Sequence, residues 1–169
     1  MTEHLDRRNF LVRAWKYGAS AIAAAGLWTT WDVLKPRLPA GFGGKIKTVS
    51  LDAVPEATVI EVPQARAYLT KVNGQVKAFS EVCSHLGCRV PFCDSSGQFE
   101  CPCHGSVFNR GGDFVAGPAP RGMDEFAIEV VDGVVVIDTD TVIPGSPIGT
   151  ETIIEPPKGP SCAEESGHA

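Results

Sequence analysis

Cys83-Ser84-His85-Leu86-Gly87-Cys88 and Cys101-Pro102-Cys103-His104-Gly105-Ser106 are the two stretches that decide how this chain is read. Each brings a thiol and an imidazole within a few residues of one another, so the pair supplies two of each. The sequence has four histidines, and the other two, His4 and His168, stand at the extreme termini. Every histidine of the foldable middle therefore belongs to these motifs. Two thiolates and two imidazoles make a metal donor set.

Zinc and iron are the two metals to weigh. Zinc fingers usually place a pair of cysteines before a pair of histidines. Here each motif gives one ligand of each kind, in the order Cys-x-His and then Cys-x2-His. Two such loops can hold a two-iron cluster between them, with sulfur on one iron and nitrogen on the other. Imidazoles in place of two thiolates make the centre less negative. Its potential then rises from about −400 mV towards roughly −150 to +300 mV.

With Gly117-Pro118-Ala119-Pro120 downstream, the motifs resemble the Rieske iron–sulfur subunit of cytochrome bc-type quinol oxidoreductases over about residues 80–122. The resemblance implies a Rieske 2Fe–2S cluster, with Cys83 and Cys101 on the buried iron and His85 and His104 on the outer one. It also implies a Cys88–Cys103 disulfide, and His85 and His104 as acceptors of the proton and electron of a quinol. Leu86 corresponds to the family's apolar shield, and Gly87 and Gly105 to places where backbone passes close to the cluster. Ser106 matches a serine that donates to a bridging sulfide. Two residues beyond it the family's high-potential members carry a tyrosine, where this chain has Phe108. That departure implies a lower midpoint and favours menaquinol. Gly117, Pro118 and Pro120 stiffen a third loop, since proline fixes φ and glycine permits the turn.

Outward from the motifs, the head reads as all-β, an antiparallel Rieske-type sandwich base over residues 45–140 that carries the cluster loops at about 82–120. Strand-like runs occur at Ile46–Leu51, Thr58–Val62, Tyr68–Val72, Val76–Phe79, Phe126–Val131 and Val134–Asp138. Asn73-Gly74 and Asp132-Gly133 are two-residue hairpin signals between pairs of them.

The N-terminal stretch Asp6-Arg7-Arg8-Asn9-Phe10-Leu11 resembles a twin-arginine export signal. An uncharged run of 15 residues follows, Tyr17–Trp31, short of the roughly 20 a spanning helix needs. Snorkelling by Arg13 and Lys16 extends it to about Val12–Leu34, with Trp28 and Trp31 at the opposite interface. Residues 1–34 are therefore expected to form a retained transmembrane anchor, with a cleaved signal as the competing reading. Residues 35–44, rich in Pro and Gly, read as a hinge. The tail, residues 141–169, reads as disordered or draped over a partner. Cys93 and Cys162 have no counterpart in the motifs; mutual pairing, free thiols and bonds to partners all stay open.

Charge is split. Residues 1–44 carry six basic and three acidic side chains, net +3, and residues 45–169 carry nine and seventeen, net −8. An acidic head excludes nucleic-acid binding. The expected function is a membrane-anchored electron-transfer subunit of a quinol:cytochrome oxidoreductase, single-pass in the cytoplasmic membrane with its head outside. Its expected partners are a cytochrome b-type subunit, a c-type or similar cytochrome, and quinol, in a multi-subunit, dimeric complex. The alternatives are the small subunit of an exported soluble oxidoreductase of the arsenite oxidase type, and a zinc-stapled binding module.

Overall fold

In the computed structural model, which describes residues 6–35 and 43–162, both Asx-Gly dipeptides form tight turns. Asn73 and Gly74 have φ of 51° and 78°, and Asp132 and Gly133 have 51° and 77°. Positive φ at both central residues matches the right-handed twist of the strands on either side, which is why Asn-Gly and Asp-Gly close hairpins so well. The first turn joins β3 (Ala67–Val72) to β4 (Gln75–Ser80), and the second joins β9 (Glu125–Val131) to β10 (Val134–Ile143). With β1 (Lys45–Ser50) and β2 (Ile60–Val62) they build an antiparallel six-stranded sheet in the order β1-β10-β9-β4-β3-β2. All six strands anticipated from the sequence are present, and the all-β antiparallel architecture is borne out.

A second sheet sits between β4 and β9 in the chain. Its strands are β5 (Phe92–Cys93), β6 (Gln98–Glu100), β7 (Val107–Phe108) and β8 (Phe114–Ala116), hydrogen-bonded in that order. Strands of two or three residues carry too little alternation to be seen in sequence. Phe99 of β6 is fully buried and is the hub of the small sheet's core, with ring contacts to Tyr68, Phe92 and Phe79 at 5.1, 5.0 and 6.2 Å. Tyr68 and Phe79 belong to the large sheet, so these rings seat one sheet on the other. A separate apolar cluster around Leu69, Ala78, Val135 and Ile137 fills the other side of the large sheet. Adjacent Ala78 and Phe79 serve the two cores in turn, as strand alternation requires.

The chain after β10 lies against its own head. Arg110, nearly fully buried, donates to Lys71 O at 2.6 Å and Thr70 Oγ1 at 2.9 Å and pairs with Glu155. Asp113, also buried, accepts from Ser146 Oγ, Thr152 N and Thr152 Oγ1 at 2.9, 2.7 and 2.8 Å. Up to residue 162, then, the tail expected to be disordered or partner-bound is bonded to this domain. Its charged partners bury because each is paired.

Residues 1–40 form a separate unit. Helix α1 (Arg7–Leu34) is capped by Asp6, whose side chain accepts from Arg8 N at 3.4 Å, and none of its residues is buried. At 1.5 Å per residue its 28 residues extend about 42 Å. Among the described residues, no helix is long and apolar enough to cross a membrane. The expected anchor is thus a helix of sufficient length whose apolar stretch is cut short by Arg13, Lys16 and Asp32. Most of the expected hinge, residues 36–42, lies outside the described residues.

Candidate metal centre

The two Cys–His motifs fold into the same turn twice. In the first, Cys83 N donates to Cys88 O at 2.8 Å and Gly87 N to Cys83 O at 2.9 Å; in the second, Cys101 N donates to Ser106 O at 2.8 Å and Gly105 N to Cys101 O at 3.1 Å. Each closure needs a residue in the left-handed region, which Gly87 and Gly105 supply with φ of 81° and 71°. A Cβ at either would meet nothing within 4 Å. Within the described chain these glycines are needed for backbone conformation.

These turns sort the donors by depth. Cys83 and Cys101 are free thiols, both buried in the core cluster with Phe99 and Phe108. His104 is exposed and His85 half-buried, their rings 5.0 Å apart and perpendicular. Burial pushes the Cys83 thiol up, and its contact with Cys101 adds to the rise; the His85 backbone and the Ser106 hydroxyl pull the other way. Two adjacent buried thiols cannot both ionise without a compensating cation. The donor set therefore fits a metal centre with sulfur inside and nitrogen outside.

A second observation supports that fit. Ser106 is 0 % exposed and its Oγ has no hydrogen-bond partner of ordinary geometry, although the hydroxyl is near enough to lower the Cys83 pKa. A buried hydroxyl is rarely left unpaired; an acceptor in the space beside Cys83 would satisfy it. Phe108, which follows on β7, is fully buried in the same cluster.

Three loops are tied pairwise around the donors. Cys88 and Cys103 form a disulfide between the first and second. Ser84 Oγ donates to Arg121 O at 2.9 Å, joining the first to the third. Gly117, with φ of 97°, presses on the second: a Cβ there would lie 2.5 Å from Ser106 Cα and 2.6 Å from Gly105 O. Pro118 and Pro120 are exposed on either side of buried Ala119. Leu86, 70 % exposed, stands at the tip beside His85.

Several supporting residues carry no motif. Glu81 accepts from Arg66 Nε at 2.6 Å and Arg89 Nε at 2.9 Å, and Arg89 also pairs with Glu61 at 2.5 Å. Burial pushes the Glu81 carboxyl up, but the two guanidiniums outweigh it and hold the group below its usual range. This network clamps the base of the first loop to β2 and to the turn before β3. Cys93 and Cys162 form a second disulfide.

The Rieske [2Fe–2S] domain family matches residues 45–130. An iron–sulfur subunit of the cytochrome b6-f complex from Chlorobaculum thiosulfatiphilum is 30% identical over 142 residues, 78% of this chain and 75% of that protein. Iron–sulfur subunit 3 of the same complex from Nostoc sp. PCC 7120 is 31% identical over 150 residues, 79% of this chain and 84% of that protein. Among solved structures, a plasma-membrane Rieske protein of the cyanobacterium Synechocystis PCC 6803 is 26% identical. The match covers 56% of this chain and 86% of that one, with a TM-score of 0.38.

Proposed function

This chain belongs to the Rieske [2Fe–2S] family and binds that family's cluster, and from that premise we propose that it is the electron-transfer subunit of a cytochrome b6-f- or bc-type quinol:cytochrome oxidoreductase. Cys83 and Cys101 hold the inner iron in this reading, and His85 and His104 the outer one. The observation that carries it is the ordering by depth: two adjacent buried thiols behind two imidazoles at the surface. The names of the relatives from Chlorobaculum and Nostoc support the assignment to such a complex.

When bound, the cluster takes up and returns one electron. The residues do the rest. His85 and His104 present ring nitrogens where a quinol hydroxyl can reach them, so the proton leaves beside the electron. Leu86 offers an apolar surface next to that nitrogen pair and excludes water from the contact. Ser106 donates its buried hydroxyl towards the sulfur-rich side. Cys88–Cys103 and Gly117 keep both histidine-bearing turns from drifting apart. The acceptor is a c-type or similar cytochrome, and menaquinol is the favoured donor because Phe108 has no hydroxyl to give.

Helix α1, with no buried residue and with Phe10, Trp15, Leu27 and Trp28 exposed, is assigned to membrane attachment beside a cytochrome b-type subunit. The head lies on the extracytoplasmic side, where disulfides persist. The test is iron and labile-sulfide analysis with EPR of the reduced, membrane-extracted protein, followed by quinol reduction of the purified complex. Two irons, two sulfides and an EPR signal from mixed nitrogen and sulfur ligation are expected. A colourless zinc protein overturns the reading. Release of an intact cluster protein from membranes by a salt wash favours the soluble arsenite oxidase-type subunit instead.

A further inference from the structure

Residues 158–162 of the tail lie on the hairpin that leads into the second Cys–His turn. Cys162 bonds to Cys93, 69 positions earlier in the chain. Its backbone N–H donates to Glu100 Oε2 at 2.9 Å, and Ser161 Oγ donates to the same oxygen at 2.8 Å. Ser96 Oγ holds the other carboxylate oxygen at 2.6 Å. Just upstream, Lys158 N donates to Ser96 O at 2.9 Å and Ser95 Oγ to Pro160 O at 2.9 Å. Gly159 passes so close that a Cβ would lie 2.8 Å from Ser95 O. Apart from Lys158 Nζ, which donates to Ala57 O at 2.9 Å, these contacts of the tail fall on residues 93–100.

Glu100 is the peptide neighbour of Cys101. Phe99 turns into the core, so on a strand Glu100 must turn the other way, towards the tail. On that flank the second turn has little else to lean on. A cavity of about 480 Å³ opens between Pro102, Gly105 and Val107 on one side and the Cys93–Cys162 disulfide on the other. Cys101 is bonded within the turn to Ser106 and Gly105, and Glu100 N donates to Pro91 O at 3.0 Å; on the cavity side, the tail's hold on the Glu100 carboxylate is the side-chain restraint added to these.

We propose that Cys93–Cys162 and Glu100 form a latch that positions the Cys101–Ser106 turn. The disulfide removes freedom from a long segment of unfolded chain and keeps the tail's donors at hand. Glu100 passes the restraint to Cys101. The inference rests on the proposed function only for what the turn carries; the latch itself is a statement about backbone restraint.

Hydrogen exchange on the full-length protein tests it, comparing the wild type with Cys93→Ser/Cys162→Ser, with Glu100→Ala in which the disulfide stays closed, and with Glu100→Gln. The amides of Cys101 and Gly105, both bonded within the turn, are expected to exchange at least about tenfold faster in the first two variants, the effect of losing a hydrogen bond to a charged group. Amides of β3 and β4 keep their rates. Glu100→Gln, which retains an acceptor for Ser161 and Cys162, restores slow exchange. In cluster-loaded protein the EPR line shape shifts in the Ala variant and returns in the Gln variant. Turn amides within about twofold of wild type in both latch variants overturn the proposal, as does a Gln variant no slower than Ala. Wild-type protein without iron and labile sulfide sinks the proposed function, while the exchange rates still judge the latch.

Discussion

Ser106→Ala probes the centre with two signs at once. In the metal-free chain the Ser106 hydroxyl is fully buried with only the weakly accepting Cys83 thiol beside it, and an unsatisfied buried hydroxyl costs about 1–3 kcal/mol. Deleting it leaves a space smaller than a water molecule and removes that cost. The metal-free, disulfide-intact variant is therefore expected to be more stable in urea by about 1 kcal/mol. In the proposed reading the same hydroxyl would donate to an anionic sulfur in the loaded protein, and a hydrogen bond to a charged group is worth about 1.5–3 kcal/mol. Such a bond would strengthen with the added negative charge of the reduced state. If half of its worth belongs to the reduced state alone, the midpoint of the variant falls by about 30–65 mV, since about 59 mV corresponds to a tenfold change in a one-electron couple. EPR-monitored redox titration reads that shift. A variant less stable without metal and unchanged in midpoint refutes the reasoning, because the hydroxyl must then have a protein partner and no acceptor in the cluster.

Phe108→Tyr should raise the midpoint by about 40 mV if the new hydroxyl reaches a ligand sulfur; an unchanged or lower value in the same titration counts against menaquinol as the favoured donor. Gly117→Ala forces a Cβ into the backbone of Gly105 and Ser106 at a φ of 97°, so it should cost about 1–3 kcal/mol or more and lower cluster occupancy, measured as iron per chain. Glu81 is a carboxylate whose folded-state pKa is depressed. Its contribution to stability is complete above the unfolded-state value of about 4.3 and disappears as pH falls through the lower folded value. The Tm gap between wild type and Glu81→Gln should accordingly shrink on acidification from pH 7 to about 3; a gap that stays constant contradicts the ion-pair assignment.

The parts of this fold visible in its sequence are those specified by local chemistry. Asn73-Gly74 and Asp132-Gly133 announce their turns because few other dipeptides tolerate two positive φ values. The two Cys–His motifs announce themselves because no other histidine lies in the foldable middle. What stayed hidden is specified at long range. Glu100, Arg110 and Asp113 look like surface charges, and only the returning tail makes them buried ones. Cys93 and Cys162 pair across 69 positions, a contact that no spacing rule reaches. Arg89, just beyond the first motif, carries no motif of its own, yet it works with Arg66 on Glu81 to fix the first loop's base. The N-terminal helix shows the opposite limit: its uncharged run, Tyr17–Trp31, is plain, but its apolar length is less than a membrane span requires.

Three unlike ties hold the three loops: a disulfide, a side-chain hydrogen bond to a backbone carbonyl, and a glycine contact with no room for a side chain. None of them uses the side chain of Cys83, His85, Cys101 or His104. The ties that place these side chains thus leave all four of them available for the proposed ligation. That division of labour suits a centre whose charge changes, because the ties of the scaffold do not run through the groups proposed to feel the charge. It also explains why the second-turn flank matters. The first turn is backed by the Glu81 ion pairs, whereas the second faces a cavity, so beyond the Cys88–Cys103 disulfide its hold comes from the Gly117 contact on one side and from the proposed Glu100 latch on the other.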